Sequence, residues 1–103
     1  MKKLTKEQVK QIEDLGWVFN DSMTSINQAT PAGEDYWIEA NNQEELINNI
    51  KCEYENFDID EHVEMWLEAK RNGVSGVPSA VELVDDAKEI DSMLEKLYDI
   101  VNV

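Results

Sequence analysis

The last quarter of the chain carries an apolar pattern that most narrowly limits what this sequence can fold into. Behind the capping-box sequence Ser79-Ala80-Val81-Glu82, apolar residues recur at alternating intervals of four and three positions. This heptad spacing predicts one long helix over about residues 80–101. Two interpretations stay open for the apolar seam, which are burial against the rest of the chain and pairing as a coiled-coil dimer. Its members are Leu83, Ala87, Ile90, Leu94, Leu97 and Val101.

Capping signals indicate three further helices. Thr5 to Gln8 forms a capping box and Gly16 is a natural stop, which predicts a helix over about residues 6–15. Asn42 or Asn41 is placed to cap a second helix that runs to about Glu55. Asp58 is placed to cap a short third helix that ends at Asn72-Gly73. The predicted buried stripes of these last two helices are Leu46, Ile47, Ile50 and Tyr54, and Val63, Trp66 and Leu67.

Between the first and second helices the residue preferences change from helix to strand. Three segments are predicted as strands: Trp17–Phe19, Met23–Ala29 and Tyr36–Ile38. The turn-prone sequences Asn20–Ser22 and Pro31–Glu34 separate them, which favours an antiparallel meander.

The predicted architecture is therefore α+β. It has an N-terminal helix, a small three-stranded antiparallel sheet and then three helices, of which the C-terminal one is long. A chain of 103 residues is expected to form a single domain over 1–103. Trp37 and Trp66 are expected in its core.

The charge of the chain is concentrated in its second part. Residues 1–33 hold four acids and four bases, whereas residues 34–103 hold nineteen acids and five bases and so carry the whole net charge of −14. Solubility of a small domain needs a net charge of only about 2–8 in magnitude. Because the excess repels itself, it points to a partner with a basic surface.

Composition excludes several kinds of partner and location. A polyanion is repelled by nucleic acid and by anionic membranes, so neither is expected as a direct ligand. No apolar run approaches the ~20 residues of a membrane span, and the start of the sequence lacks the apolar segment of a signal peptide. The single cysteine, Cys52, fits a reducing bacterial cytoplasm.

No catalytic, metal or cofactor motif is visible. His62 and Cys52 are each the only residue of their type, and nothing in the sequence joins them as a dyad. Asp58, Asp60 and Glu61 lie close together, but the positions that follow them do not match an EF-hand loop. We therefore expect neither enzyme activity nor a bound metal or cofactor.

The third and fourth helices are predicted to carry rows of acids. Carboxylates three and four positions apart share one helix face and lie about 5–6 Å apart, similar to neighbouring phosphates of a DNA strand. A solvated helix face explains such rows as well as mimicry of nucleic acid does, and both interpretations stay open. The candidate partner-binding residues are Asp58, Asp60, Glu61, Glu64, Glu68, Glu82, Asp85, Asp86 and Glu89.

Four segments over about residues 16–100 resemble one group of small acidic proteins. These segments are 31–36, Phe57–Trp66 with the sequence DEHVEMW, 73–79 with GVPS, and 82–87. The group is encoded by phages, plasmids and conjugative elements of Firmicutes. Its members are often neighbours of antirestriction genes, and some anti-CRISPR proteins against type II effector nucleases share this size and charge. The resemblance implies a role in evading host defence and carries no catalytic residues with it.

Two functions follow as hypotheses. The first is a non-enzymatic anti-CRISPR or antirestriction inhibitor that binds the basic nucleic-acid channel of a host nuclease through a DNA-mimicking acidic surface. The alternative is an acidic adaptor or regulator of a DNA-associated protein of the mobile element, as a monomer or as a homodimer through the C-terminal helix.

Overall fold

The elements follow one another in the order that the sequence predicts. The computed structural model describes residues 2–30 and 35–102, so the predicted turn at Pro31–Glu34 lies outside the described residues. The fold is α+β, with a helix, a three-stranded antiparallel sheet and then three helices. The elements are α1 (Lys6–Asp14), β1 (Val18–Phe19), β2 (Ile26–Ala29), β3 (Asp35–Ile38), α2 (Gln43–Asn56), α3 (Ile59–Arg71) and α4 (Ala80–Val101).

Side-chain caps begin α1 and α2 where the sequence places them. The Thr5 hydroxyl accepts a hydrogen bond from the Gln8 N–H at 3.1 Å, and the Gln8 side chain accepts one from the Thr5 N–H at 2.9 Å. The predicted capping box is therefore confirmed. Asn42 is the cap of α2 and accepts a hydrogen bond from the Glu45 N–H at 2.8 Å.

The end of α1 requires a glycine. The Gly16 N–H donates to the carbonyl of Glu13 and the Trp17 N–H to that of Ile12, which are the two bonds of a Schellman motif. Gly16 has a φ of 101°, in the left-handed region that glycine adopts without strain. A Cβ at this position would also lie 2.7 Å from Nε2 of Gln28.

The second strand begins later than predicted. A turn occupies the segment before Ile26, because the Asn20 carboxamide oxygen accepts hydrogen bonds from the N–H groups of Thr24 and Ser25. Met23 within this turn has a φ of 58°, which a strand does not allow.

One face of the sheet packs against the core. β2 pairs antiparallel with both β1 and β3, which confirms the meander. Ile26 lies opposite Phe19 on one side and Ile38 on the other. Ile26 and Ile38 are buried and Phe19 packs against the core.

The outer face of the sheet is open to solvent. Trp37 on β3 is 50% exposed and Val18 on β1 is 63% exposed. The expectation that Trp37 lies in the core is therefore wrong. Side chains alternate along a strand, so the inward positions of Tyr36 and Ile38 turn Trp37 outward.

The heptad seam of α4 is buried within the chain, as the first of its two interpretations predicts. All six seam residues are at most 1% exposed. The same positions are therefore unavailable for a coiled-coil dimer. The main core cluster joins the second half of α4 to α1, α2 and the sheet, and consists of Leu4, Ile12, Trp17, Ile26, Ile38, Leu46, Ile47, Ile50, Ile90, Leu94, Leu97 and Val101.

Helix α3 packs on α4 and buries no residue completely. Its predicted stripe, including Trp66, is half-buried. The helix ends in a second Schellman motif at Gly73, which has a φ of 88°. We call residues 58–89 the arm, and we call α1, the sheet, α2 and Ile90–Val101 the core region.

Candidate partner-binding surface

The acids of α3 lie at its start and along its outward side. Asp58 caps the helix, and its Oδ1 accepts a hydrogen bond from the Glu61 N–H at 3.1 Å. Asp60 and Glu61 lie in the first turn, where the positive end of the helix dipole stabilises carboxylates. Glu61, Glu64 and Glu68 are exposed on the side opposite the half-buried stripe.

One acid of this row has a cationic partner. The Arg71 guanidinium donates a hydrogen bond to Glu64, and both side chains are 62% exposed. An exposed pair of this kind contributes about 0–1 kcal/mol. Within residues 2–30 and 35–102 it is the only ion pair between a lysine or arginine and an exposed carboxylate. Most of the acidic charge of the arm therefore has no such partner in the described chain.

The acids of α4 begin with a residue that has a structural role. The Ser79 N–H donates to Oε2 of Glu82 at 3.0 Å, and the Glu82 N–H donates to the Ser79 hydroxyl at 3.3 Å. This confirms the predicted capping box. Asp85 and Glu89 are exposed on the same side of the helix as Glu82.

Asp86 lies in the interior, so its placement in an exposed acidic row is wrong. It is 3% exposed, and its Oδ2 lies 3.2 Å from Nε2 of His62 on α3. The cause is its angular position on α4, next to the seam residue Ala87 and three residues after Leu83. The carboxylate thus contributes to packing between α3 and α4.

A further row of acids follows the second half of α4. Asp91, Glu95 and Asp99 are spaced by four and share one side of the helix. The charge of Glu95, then partial desolvation, then the charges of Asp91 and Asp99 raise the pKa of Tyr54 on α2 above its ordinary value. The spacing is visible in the sequence, whereas the packing of the Tyr54 ring on Tyr98 is not.

A groove of about 340 Å³ lies where the last turn of α2 meets the first turns of α3. Phe57 and Met65 contribute apolar lining, and the Phe57 ring lies 5.6 Å from the ring of His62. The carboxylates that line the groove belong to Glu53, Asp58 and Glu61. Sequence patterns did not indicate the groove, because residues of two different helices and of the link between them line it together.

Cys52 and His62 both line this groove, although their sequence positions do not pair them. No hydrogen bond between the Cys52 thiol and the His62 ring is found in the part of the chain that the structure describes. The described residues also hold no group of three or more histidine, cysteine or acidic side chains placed to bind a metal ion.

Comparisons with known proteins add no relative. The chain matches no family model, and no curated protein or solved structure is significantly similar to it. Of the helices that the structure describes, none has the length and apolar character needed to cross a membrane.

Proposed function

We propose that this chain is a non-enzymatic inhibitor that binds the basic nucleic-acid channel of a host defence nuclease, either a CRISPR effector or a restriction enzyme. The observation that supports the proposal is the pair of exposed acidic rows on two packed helices, with a single Arg or Lys partner among the described residues. The binding residues are Asp58, Asp60, Glu61, Glu64, Glu68, Glu82, Asp85 and Glu89.

Helical geometry makes these rows suitable for imitating a nucleic-acid backbone. Neighbouring carboxylates on one face lie about 5–6 Å apart, and packing of α3 on α4 fixes both rows before binding. Complementary charge across the interface accelerates association and makes it sensitive to salt. The adaptor hypothesis relied for its dimer on a free heptad seam, and burial of the seam removes that surface.

The test is plasmid cleavage by purified type II CRISPR effectors and restriction nucleases in the presence of the protein. We expect inhibition that weakens as salt is raised and that excess duplex DNA relieves. If no nuclease in the panel is inhibited, the proposal is wrong.

Matched charge reversals separate the effect of the acids of the arm from the effect of net charge alone. The variant Glu68→Lys/Glu89→Lys changes one exposed acid on each helix of the arm. The control Glu13→Lys/Asp14→Lys makes the same change in net charge at the exposed end of α1, where lysine suits the helix dipole. We expect inhibition about tenfold weaker or more with the first variant and little change with the second. Equal inhibition by both would contradict mimicry.

A further inference from the structure

The groove between α2 and α3 is negative for two independent reasons. The last turn of α2 lines it, and the final carbonyls of a helix carry partial negative charge because they lack partners within the helix. That turn contains no basic residue. The carboxylates of Glu53, Asp58 and Glu61 add full charges around the same space.

Part of the groove lining is apolar. Phe57 presents an aromatic ring, and Met65 is 58% exposed although it is a large apolar residue. A surface that combines apolar lining with carboxylates suits a side chain with an apolar stem and a cationic end. Its volume of about 340 Å³ is near the lower end of small-ligand sites, which are about 300–1,000 Å³.

We propose that the groove binds a single arginine side chain of a protein partner. A guanidinium is planar, stacks on aromatic rings and forms paired hydrogen bonds with carboxylates, whereas an ammonium does not form the paired bonds. The groove supplies Phe57 for stacking and carboxylates for hydrogen bonding.

Two of the carboxylates are already held in position. Oε2 of Glu53 accepts a hydrogen bond from the Tyr36 hydroxyl at 2.6 Å, and Oδ1 of Asp58 accepts one from the Glu61 N–H at 3.1 Å. An ionised carboxylate has about four accepting sites, so capacity remains for a guanidinium. Groups fixed before binding lose less entropy when the ligand arrives.

That the arginine belongs to a basic nuclease rests on the proposed function, whereas the chemistry of the groove is testable without a nuclease. The probe is a blocked pentapeptide with one central arginine flanked by glycine and serine. Its matched controls replace arginine with lysine or with the neutral isostere citrulline. Each peptide is titrated into the full-length ¹⁵N-labelled protein while backbone amide shifts are recorded.

We expect the arginine peptide to shift amides within residues 52–65 and to bind at least about tenfold more tightly than the citrulline peptide. The lysine peptide is expected to bind more weakly than the arginine peptide. Cys52 lines the groove, is exposed and is the single cysteine, so the arginine peptide should also slow its alkylation.

A matched pair of variants tests the carboxylates. Glu53→Gln removes a charge in the groove and keeps an acceptor for Tyr36, whereas Glu44→Gln removes the same charge at an exposed position outside it. We expect several-fold weaker binding of the arginine peptide to the first variant and unchanged binding to the second.

Three results would overturn the groove proposal: no shifts, equal affinity for arginine and citrulline, or shifts confined to residues 68–89, which lie outside the groove and carry the acids Glu68, Glu82, Asp85 and Glu89. The last result would leave the proposed function standing. Binding of the arginine peptide in the groove without inhibition of any nuclease would support the groove proposal and contradict the proposed function.

Discussion

The core region and the arm differ in what holds them together. The core region packs large apolar side chains from three helices and a sheet, whereas α3 of the arm buries no side chain completely. The interior of the arm includes the polar pair of His62 and Asp86. Residues 58–89 nevertheless hold nine acids and only three lysines or arginines. The arm thus combines many acids on its surface with a smaller apolar interior than the core region has. Because like charges reduce stability, this combination indicates that the acids have a role other than stability.

Matched leucine truncations should give the largest difference between the two regions. Leu94 is fully buried in the core region and Leu67 is half-buried on α3. Leu94→Ala is expected to lower the free energy of unfolding by about 2–5 kcal/mol. Leu67→Ala should lower it by about 1 kcal/mol, because less apolar surface is lost. Urea denaturation measures both, and equal losses would show that the arm is packed as tightly as the core region.

The polar pair of the arm should couple more strongly than the exposed ion pair beside it. Truncating Asp86 to alanine is expected to cost about 1–3 kcal/mol, since it removes a buried partner of His62. A double-mutant cycle with His62→Ala should give a coupling of about 1–2 kcal/mol. The same cycle at Glu64 and Arg71 should give about 0.5 kcal/mol or less. Similar couplings would mean that burial does not strengthen the pair.

Gly16 and Gly73 both have a positive φ but differ in what surrounds them, so the same substitution at each position separates backbone strain from contact with neighbouring atoms. Gly16→Ala places a Cβ against the Gln28 carboxamide, whose Nε2 donates to the Leu15 carbonyl, so the strain of the backbone and the displacement of this hydrogen bond together are expected to cost about 2 kcal/mol. Gly73→Ala meets no atom within 4 Å, so only the backbone strain of about 1 kcal/mol remains. Thermal unfolding of the two variants measures the difference, and an equal cost would assign all of it to the backbone.

Two tyrosines should respond differently to salt without a large change in stability. Burial, followed by the hydrogen bond to Glu53, raises the pKa of Tyr36. The pKa of Tyr54 is raised first by the charge of Glu95. Because salt screens exposed charges, added salt should lower the apparent pKa of Tyr54 more than that of Tyr36. Absorbance titration of the Tyr36→Phe and Tyr54→Phe variants assigns each transition.

The raised pKa values of Tyr36 and Tyr54 determine how the stability of the protein changes with pH. Both pKa values are higher in the folded protein than the ordinary value of 10.0. The stabilisation they represent is complete below that pH, and it is lost as the pH rises through the folded values. Denaturation midpoints should therefore decrease as the pH rises above about 10, and they should decrease less steeply in the Tyr36→Phe variant. An unchanged slope in that variant would contradict the shift at Tyr36.

The fold was predictable where short-range chemistry decides it. The capping boxes at Thr5 and Ser79 act over three residues, and the seam of α4 is periodic within one helix. All four helices therefore lie where the sequence places them. The start of β2 was less predictable, because the side chain of Asn20 holds a turn in a segment with some strand character.

The candidate site was predictable only in part. Exposed acids such as Glu68 and Asp85 follow from helical periodicity. The contact of Asp86 with His62 joins positions 24 apart on different helices, and the groove is lined by residues of both α2 and α3. Relations of this range are set by tertiary packing, which periodicity along one helix does not encode.

Helix α4 passes without interruption from the arm into the core region. Its 22 residues span about 33 Å at the usual helical rise. Its second half is enclosed by the main cluster, whereas its first half is covered by α3. Amide hydrogens in the second half are thus expected to exchange with solvent only through global unfolding, and those in the first half through detachment of α3. We therefore expect this single helix to belong to two cooperative folding units. A partner bound to the arm would then contact one end of a helix whose other end lies in the part of the molecule that is expected to open most slowly.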